Sequence, residues 1–366
     1  MNPFPRRQKT LGRVVKAAGL DALLVAKPVN VSYLTGFTGD SSFALVTPTR
    51  TLLLSDDRFR IQIEAECAGL EVEVRGHDRN TYQLIGAVVA KRGLKSVGVE
   101  AAGVTIEEFE SLKELCDRCT LVPRSDFVEK LRAIKDESEV ALIRAAIRSA
   151  ERGFAALRAT LRPADTEKEV AALLEGYIRR AGGDGFAFPP IVGVGDRSAR
   201  PHCPLSDRRV GDADFVLVDW GAKANLYHSD LTRVVWSPDA RPRKAVESRL
   251  RKMYTVVLEA QSRAIAALRP GVHVKAIDAE ARDFIANAGY GAYFNHGLGH
   301  GIGLEIHEAP AIRFNSDDVL AAGMVVTIEP GVYLPDFGGV RIEDDILITP
   351  DGSEVLTTAA REWESL

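Results

Sequence analysis

The sequence predicts an α/β layer domain followed by a larger domain built from two related halves, and three observations carry that prediction. A chain of 366 residues at about 150 residues per domain holds two domains, and 46% hydrophobic residues supply the cores. Between residues 20 and 125, short apolar runs alternate with helix-like segments. Further along, LRPADTEKEVAALLEGYIRRAG (161–182) aligns with LRPGVHVKAIDAEARDFIANAG (268–289), displaced by 107 positions.

Taken in order, DALLVA (21–26), FALVT (43–47), TLLLS (51–55), LEVEV (70–74), SVGVE (96–100) and TLVP (120–123) read as strands. Segments 58–68, 81–92 and 105–116 have the spacing and caps of helices. At Asp136 a capping pattern with Glu139 opens a long amphipathic helix marked by Val140, Ile143, Ile147, Ala150, Phe154 and Leu157. Thr166 and Glu169 cap a second helix, which stops at Gly182-Gly183. Two related halves facing each other make a central cleft, where small-molecule sites sit.

Composition excludes several classes. Lys and Arg number 47 against 51 Asp and Glu, a net charge of −4, so there is no extended basic footprint and no nucleic-acid partner is expected. No stretch approaches the roughly 18 apolar residues of a membrane span, and MNPFPRRQKTLGRVVKAAGL lacks a continuous apolar core of the signal-peptide kind. No membrane partner and a cytoplasmic address are therefore expected. Four cysteines form no disulfide framework, and Cys116 and Cys119 stand as one Cys-x-x-Cys without a second pair. Gly193-Val194-Gly195 lacks the third glycine of a nucleotide loop and reads as a connection to Pro201-His202. The basic runs 6–9 and 241–252 read as solvated charge.

The chemistry concentrates in three segments. FVLVDWGAKANLYHSDLTRVVW (215–236) reads as a hairpin turning at Ala224-Asn225, which would set Asp219 directly opposite Asp230 with Cβ atoms about 5 Å apart. VVTIEPGVYLPDFGGVRIED (325–344) turns near Asp336 and sets Glu329 opposite Glu343. Facing carboxylates in apolar strands repel unless a cation joins them. Between the hairpins runs HGLGHGIGLEIHEAP (296–310), with His296, His300 and His307. Four carboxylates with one or two imidazoles are too oxygen-rich for structural zinc and too imidazole-dependent for calcium. Such a set suits two Mn²⁺, Co²⁺, Fe²⁺ or Zn²⁺ ions sharing carboxylates, a dinuclear metallohydrolase.

These residues resemble the Xaa-Pro peptidases of the pita-bread fold, aminopeptidase P and prolidase, over nearly the whole chain. The matching motifs are Asp219 in Asp-Trp-Gly, Asp230 before Leu-Thr-Arg, His300 in Gly-His-Gly-Ile-Gly, Glu329 in Glu-Pro-Gly and Glu343 in Arg-Ile-Glu-Asp. The segment NVSYLTGFTGDSSFALV (30–46) likewise resembles the N-terminal domain of these peptidases. The resemblance implies a creatinase-like N-terminal domain over 1–130 and an α+β pita-bread catalytic domain with a pseudo-two-fold over 131–366. It implies two divalent metal ions, Mn²⁺ foremost, with Asp219 on one, His300 and Glu329 on the other, and Asp230 and Glu343 bridging. His202, His296, His307 and Arg341 match the residues that the family uses around the scissile proline.

On this basis His307 serves the oxyanion, His202 positions substrate and Glu329 shuttles the proton. Val234 stands where the family commonly has Thr, and Cys203 puts a thiol beside His202. The expected activity is that of an Xaa-Pro aminopeptidase acting on peptides with proline in second position. Xaa-Pro dipeptidase is the alternative, a non-catalytic pita-bread binding protein or a metal-free amidinohydrolase of the creatinase type lies further off, and the family implies a homodimer.

Overall fold

Each apolar run before residue 125 forms a strand, and each intervening capped segment a helix. The computed structural model describes residues 2–363, and the chain divides into two units, Met1–Arg132 and Ala133–Leu366. The first unit runs α1 (Phe4–Ala17), β1 (Ala22–Val25), α2 (Pro28–Thr35), β2 (Phe43–Val46), β3 (Thr51–Asp56), α3 (Arg60–Glu66), β4 (Glu71–Arg75), α4 (Thr81–Lys91), β5 (Ser96–Glu100), α5 (Ile106–Leu115), β6 (Thr120–Arg124) and α6 (Glu129–Arg132). Its strands lie in the order β4-β3-β2-β1-β5-β6, with β1-β2 and β2-β3 antiparallel and the other pairs parallel. Capping boxes at Asn80 with Gln83 and Thr105 with Glu108 start α4 and α5. One expectation fails here. Residues 6–9 are helical, and Arg7 is buried, donating to the Tyr33 carbonyl at 3.1 Å with its guanidinium 4.2 Å from the Tyr33 ring centre.

The second unit opens with α7 (Glu137–Thr160) and α8 (Glu167–Arg180), followed by β7 (Gly185–Phe186), β8 (Ile191–Val194), β9 (Phe215–Trp220), β10 (Ala222–Ala224), β11 (Tyr227–His228) and β12 (Leu231–Trp236). Then come α9 (Lys244–Ala267), α10 (Val274–Asn287), β13 (Gly299–Gly301), β14 (Glu308–Ile312), β15 (Val325–Ile328), β16 (Gly331–Leu334), β17 (Gly338–Arg341), β18 (Asp344–Ile348) and β19 (Ser353–Val355). The repeat is structural: α7 and α9 each have 24 residues, α8 and α10 each have 14, and all four boundaries keep the displacement of the sequence match. The caps diverge. Thr166 closes a capping box on α8, whereas His273 offers α10 no side-chain cap.

Each helix pair covers the strands of its own half. Phe154, Leu157, Val170 and Leu174 pack with Val192, Val216, Val218 and Trp220. Met253, Val257, Ile277 and Ile285 pack with Val326, Ile328, Val340 and Ile346. Each such side chain contributes roughly 1.5–3 kcal/mol when fully buried. The two-residue period of β9 then decides where the chemistry goes. Val216, Val218 and Trp220 face α7 and α8, with the Trp220 and Phe154 rings stacked at 4.0 Å, so Phe215, Leu217 and Asp219 face the interior between the halves.

Candidate metal centre

Two hairpins bring four carboxylates to one place, and the register of the first differs from the sequence expectation. Lys223 pairs with His228 and Ala224 with Tyr227, so the turn is Asn225-Leu226, both left-handed with φ of 49° and 72°. Asp219 is consequently opposite Thr232, not Asp230, and Leu231 is opposite Trp220. The expected turn at Ala224-Asn225 fails because this tight turn needs positive φ at both central residues, and the chain puts Asn225 first and Leu226 second. Moving the centre of a hairpin by one residue shifts the register by two, which keeps every side chain on its face. Asp230 therefore remains on the side of Asp219, diagonal to it across Thr232. Gly221 permits the close approach, since a Cβ there would lie 1.9 Å from the Ser229 carbonyl oxygen.

The second hairpin has the expected register. Leu334 faces Gly338 and Gly331 faces Arg341, while β15 and β18 keep the same alignment with Ile328 opposite Asp344. Glu329 and Glu343 stand opposite each other in the break between the two ladders. The hairpins join where Thr232 and Glu343 bridge: the Glu343 N–H donates to the Thr232 carbonyl at 3.3 Å, and the Thr232 hydroxyl donates to Glu343 Oε2 at 2.7 Å.

His300 enters from β13. Its Nδ1 lies 3.1 Å from the Gly301 carbonyl oxygen and so carries the proton, which leaves the Nε2 lone pair 3.6 Å from both Asp230 Oδ2 and Glu329 Oε1. Ligating atoms of Asp230, His300 and Glu343 all lie within 4.8 Å of one another. Arg341 closes the opposite side with Nη2 donating to Asp219 Oδ2 at 2.5 Å, Nε to the Thr232 hydroxyl at 3.0 Å and Nη1 to the Tyr333 hydroxyl at 2.8 Å. The Tyr333 hydroxyl in turn lies 2.8 Å from His296 Nε2, and His296 Nδ1 lies 2.7 Å from the Gly297 carbonyl oxygen. That carbonyl can only accept, so Nδ1 donates to it and Nε2 accepts from Tyr333. Gly331 makes room for the Tyr333 ring: a Cβ there would sit 2.4 Å from its hydroxyl.

A cavity of about 790 Å³ opens over these groups, lined by Asp219, Asp230, His296, His300, Glu329, Arg341 and Glu343, with His202 and His307 among its walls. The sequence-predicted site residues thus share one cavity. Phe188, Pro189, Pro190, Ile191, Pro201, Pro204, Leu205 and Ile306 supply its apolar wall, and buried Cys203 lies among them. The His307 ring stands edge-on to His300 at 4.4 Å. Its loop is held from behind by a buried ion pair, Lys135 Nζ to Glu308 Oε2 at 3.0 Å, while Glu308 Oε1 accepts the Glu305 N–H. Arg282 secures the segment before His300 by donating to the Phe294 and His296 carbonyls.

The electrostatics describe a site short of positive charge. Burial pushes Asp230 and Glu343 well above the usual carboxylate range, and each is raised further by neighbouring acids. Burial also raises Asp219 despite Arg341, and takes Glu329 up to about 8. Burial lowers His300 to about 4 and His296 to about 3, so both imidazoles are neutral at pH 7. Asp219 Oδ1 and Asp230 Oδ1 are buried without a hydrogen-bond partner. Orphaned carboxylate oxygens, mutually repelling acids and a neutral imidazole with a free lone pair are the donor set that divalent cations take. The residues fit two such ions.

Metal-free protein should therefore lose stability as pH rises. Groups with folded pKa raised above the unfolded value stabilise most below the unfolded pKa, and that contribution disappears as pH climbs through the folded value. The melting temperature after chelation is expected to fall between about pH 6.5 and pH 8, above the range in which the depressed His296 and His300 oppose the trend, and added Mn²⁺ should flatten the slope. A slope equal with and without chelator would contradict the charge-deficient site.

Sequence reading missed Thr232 and Tyr333. A period-two signal was available for both, since Thr232 follows Asp230 by two and Tyr333 follows Glu329 by four, which keeps each on the acid-bearing face.

A cleft between duplicated halves, floored by carboxylates and imidazoles and walled by prolines, defines a metal-dependent hydrolase of the pita-bread class. A family model for Metallopeptidase family M24 matches residues 141–350, and one for the Creatinase/Prolidase N-terminal domain matches residues 7–134. The chain belongs to metallopeptidase family M24. It is 37% identical over 345 residues to an Xaa-Pro dipeptidase of Pyrococcus horikoshii, covering 94% of each chain. Among solved structures, an Xaa-Pro dipeptidase from Bacillus anthracis superposes with a TM-score of 0.92 at 36% identity over 98% of both chains. An X-Pro aminopeptidase from Thermotoga maritima gives 0.87 at 37% identity, covering 96% of this chain and 99% of that one. Among the described residues no helix is long and apolar enough to cross a membrane.

Proposed function

We propose that this chain is a dinuclear metal-dependent Xaa-Pro dipeptidase, releasing proline from a dipeptide whose second residue is proline. Asp219 would hold one ion, His300 and Glu329 the other, and Asp230 and Glu343 both. Bound metal would supply Lewis acidity and lower the pKa of water toward about 7. The chain's own groups do the rest. His202 and His307 line the cavity where a proline ring would rest, and His307 is placed beside His300 to donate to oxygen as negative charge develops there. Glu329, whose carboxylate lies 3.6 Å from His300 Nε2 and lines the cavity, can carry a proton to the departing nitrogen. Arg341 holds Asp219 in place. An X-Pro bond has no N–H, so recognition rests on ring and carboxylate rather than on that hydrogen.

The observation that carries the dipeptidase reading over the aminopeptidase one is Arg313. It is exposed, lines the same cavity, and among the described residues its guanidinium has no ion-pair partner. A free cation beside a proline slot suits the carboxylate of a terminal proline. The similarity to dipeptidases of Pyrococcus horikoshii and Bacillus anthracis supports the same choice. The similarity to the Thermotoga maritima aminopeptidase favours the second reading, a cleft open beyond proline.

Cleavage rates on Mn²⁺-reconstituted protein separate the two. The dipeptidase reading expects Xaa-Pro to be hydrolysed faster than Xaa-Pro-Xaa, with both rates lost on chelation. Arg313→Ala should lower kcat/KM for the dipeptide by about 10–100-fold, the worth of one charge-assisted contact at roughly 1.5–3 kcal/mol. Faster tripeptide cleavage, unaffected by Arg313→Ala, would establish the aminopeptidase instead.

A further inference from the structure

A fully satisfied cation of the second unit stands outside the cavity. Arg233 is 2% exposed and directly follows Thr232, yet it points away from the site. All five of its N–H bonds are used. Nη1 donates to the Thr232 carbonyl at 2.9 Å and the Glu343 carbonyl at 2.6 Å. Nη2 donates to Asp344 Oδ1 at 2.7 Å and the Ala359 carbonyl at 2.6 Å, and Nε to the Ala360 carbonyl at 3.0 Å. The planar fork thereby ties the backbone of a site carboxylate to a segment more than a dozen residues downstream.

That segment is fastened at several points. The Leu356 N–H donates to the Asp345 carbonyl at 2.8 Å, and the Thr357 hydroxyl to Asp344 Oδ1 at 2.5 Å. Glu151 on α7 accepts from the Thr358 and Ala359 N–H groups and from the Thr358 hydroxyl at 2.8 Å. The Tyr254 hydroxyl donates to the Arg361 carbonyl at 2.8 Å. From α9, Gln261 Nε2 lies 3.1 Å from the Ile328 and Ile342 carbonyls and 2.9 Å from Asp344 Oδ2. Ile328 and Ile342 are the residues immediately before Glu329 and Glu343. The peptide groups that aim both second-hairpin acids are thus held from the rear by one buried network.

We propose that residues 356–361 form a strap which, through Arg233, sets the position of the Glu343 carboxylate, so that divalent-ion affinity depends on contacts made entirely outside the cavity. Arg233 is a positioning residue, because it touches the backbone of Glu343 and not the cavity. A carboxylate that must reach two cations tolerates little displacement, and loss of a supporting partner typically costs 10–100-fold in metal affinity. The proposal rests on the metal reading of the site.

The test uses Mn²⁺ titrated calorimetrically into chelator-stripped protein, and the visible absorption of the Co²⁺-loaded form as a report on coordination geometry. Glu151→Ala releases the strap at its surface anchor on α7 and leaves every cavity residue in place. Its Mn²⁺ dissociation constant is expected to rise at least tenfold, with an altered Co²⁺ spectrum and unchanged far-ultraviolet circular dichroism. Glu151→Gln, which keeps an acceptor oxygen, should recover part of the affinity. Arg233→Lys, with three donors in place of a five-donor fork, should lose more than Glu151→Ala. If Arg233→Lys fails to fold, the Glu151 pair and Thr357→Val carry the result. Dissociation constants within twofold of the parent and an identical Co²⁺ spectrum in folded Glu151→Ala and Thr357→Val would overturn the strap and leave the metal site standing. Failure of the parent protein to bind either ion would overturn the metal reading and the strap with it.

Discussion

Glu343→Ala is expected to abolish peptide hydrolysis and to remove the capacity for a second divalent ion while leaving the fold intact. Glu343 is the residue on which both hairpins converge, since its backbone bridges Thr232 and its carboxylate accepts from the Thr232 hydroxyl. It is 2% exposed, and burial, reinforced by the neighbouring acids Glu329 and Asp219, pushes its pKa well above the ordinary range. Removing it relieves repulsion in metal-free protein, so chelated Glu343→Ala should melt no lower than the chelated parent. In the presence of Mn²⁺ the order reverses, because the parent gains binding free energy that the variant cannot. Asp230→Ala should behave alike. Metal stoichiometry by elemental analysis, melting curves with and without chelator, and turnover of an Xaa-Pro dipeptide give the three readings. Full activity with two ions bound would remove either residue from the shared-ligand role.

Arg341→Ala is expected to produce the largest loss of stability of any single change at the site. The guanidinium is 3% exposed and serves Asp219, Thr232 and Tyr333 together. Breaking a buried ion pair from one side strands the other charge and costs roughly 3–5 kcal/mol. Tyr333 would also lose the donor behind its hydroxyl, and with it the chain of hydrogen bonds that fixes His296. Activity should fall with stability, and Arg341→Lys should restore little of either, because one ammonium cannot span three acceptors in a plane. Denaturant melts of chelated protein measure the effect. A loss below about 1 kcal/mol would show that Asp219 finds compensation elsewhere.

Much of the site was legible before any coordinates because its chemistry is local. Hairpin pairing is set by a few residues around each turn, so Glu329 could be placed opposite Glu343 from spacing alone, and β16 and β17 have that register. The same arithmetic misplaced Asp219 because Asn225-Leu226, and not Ala224-Asn225, occupies the left-handed turn. The face assignment nevertheless stood, since a two-residue slip preserves side-chain direction. The duplication was legible for a similar reason: helix length and glycine stops are written in sequence, and α7–α8 and α9–α10 keep their spacing. Arg7 was misread because a charged run in a helix gives no sign of which member turns inward onto an aromatic ring.

The sequence by itself determined the class of enzyme, the carboxylate and imidazole groups of the candidate site and the strand faces on which they sit, because residue identity and two-residue periodicity are properties of neighbours along the chain. Only the tertiary structure decided which oxygens go without partners, that Arg341 binds Asp219 through a gap 122 residues long, and that Arg233 reaches carbonyls 126 and 127 residues away. Those facts depend on burial and on the meeting of distant segments. No local pattern encodes them, since the energy that fixes them comes from packing the two halves of the second unit around a common interior.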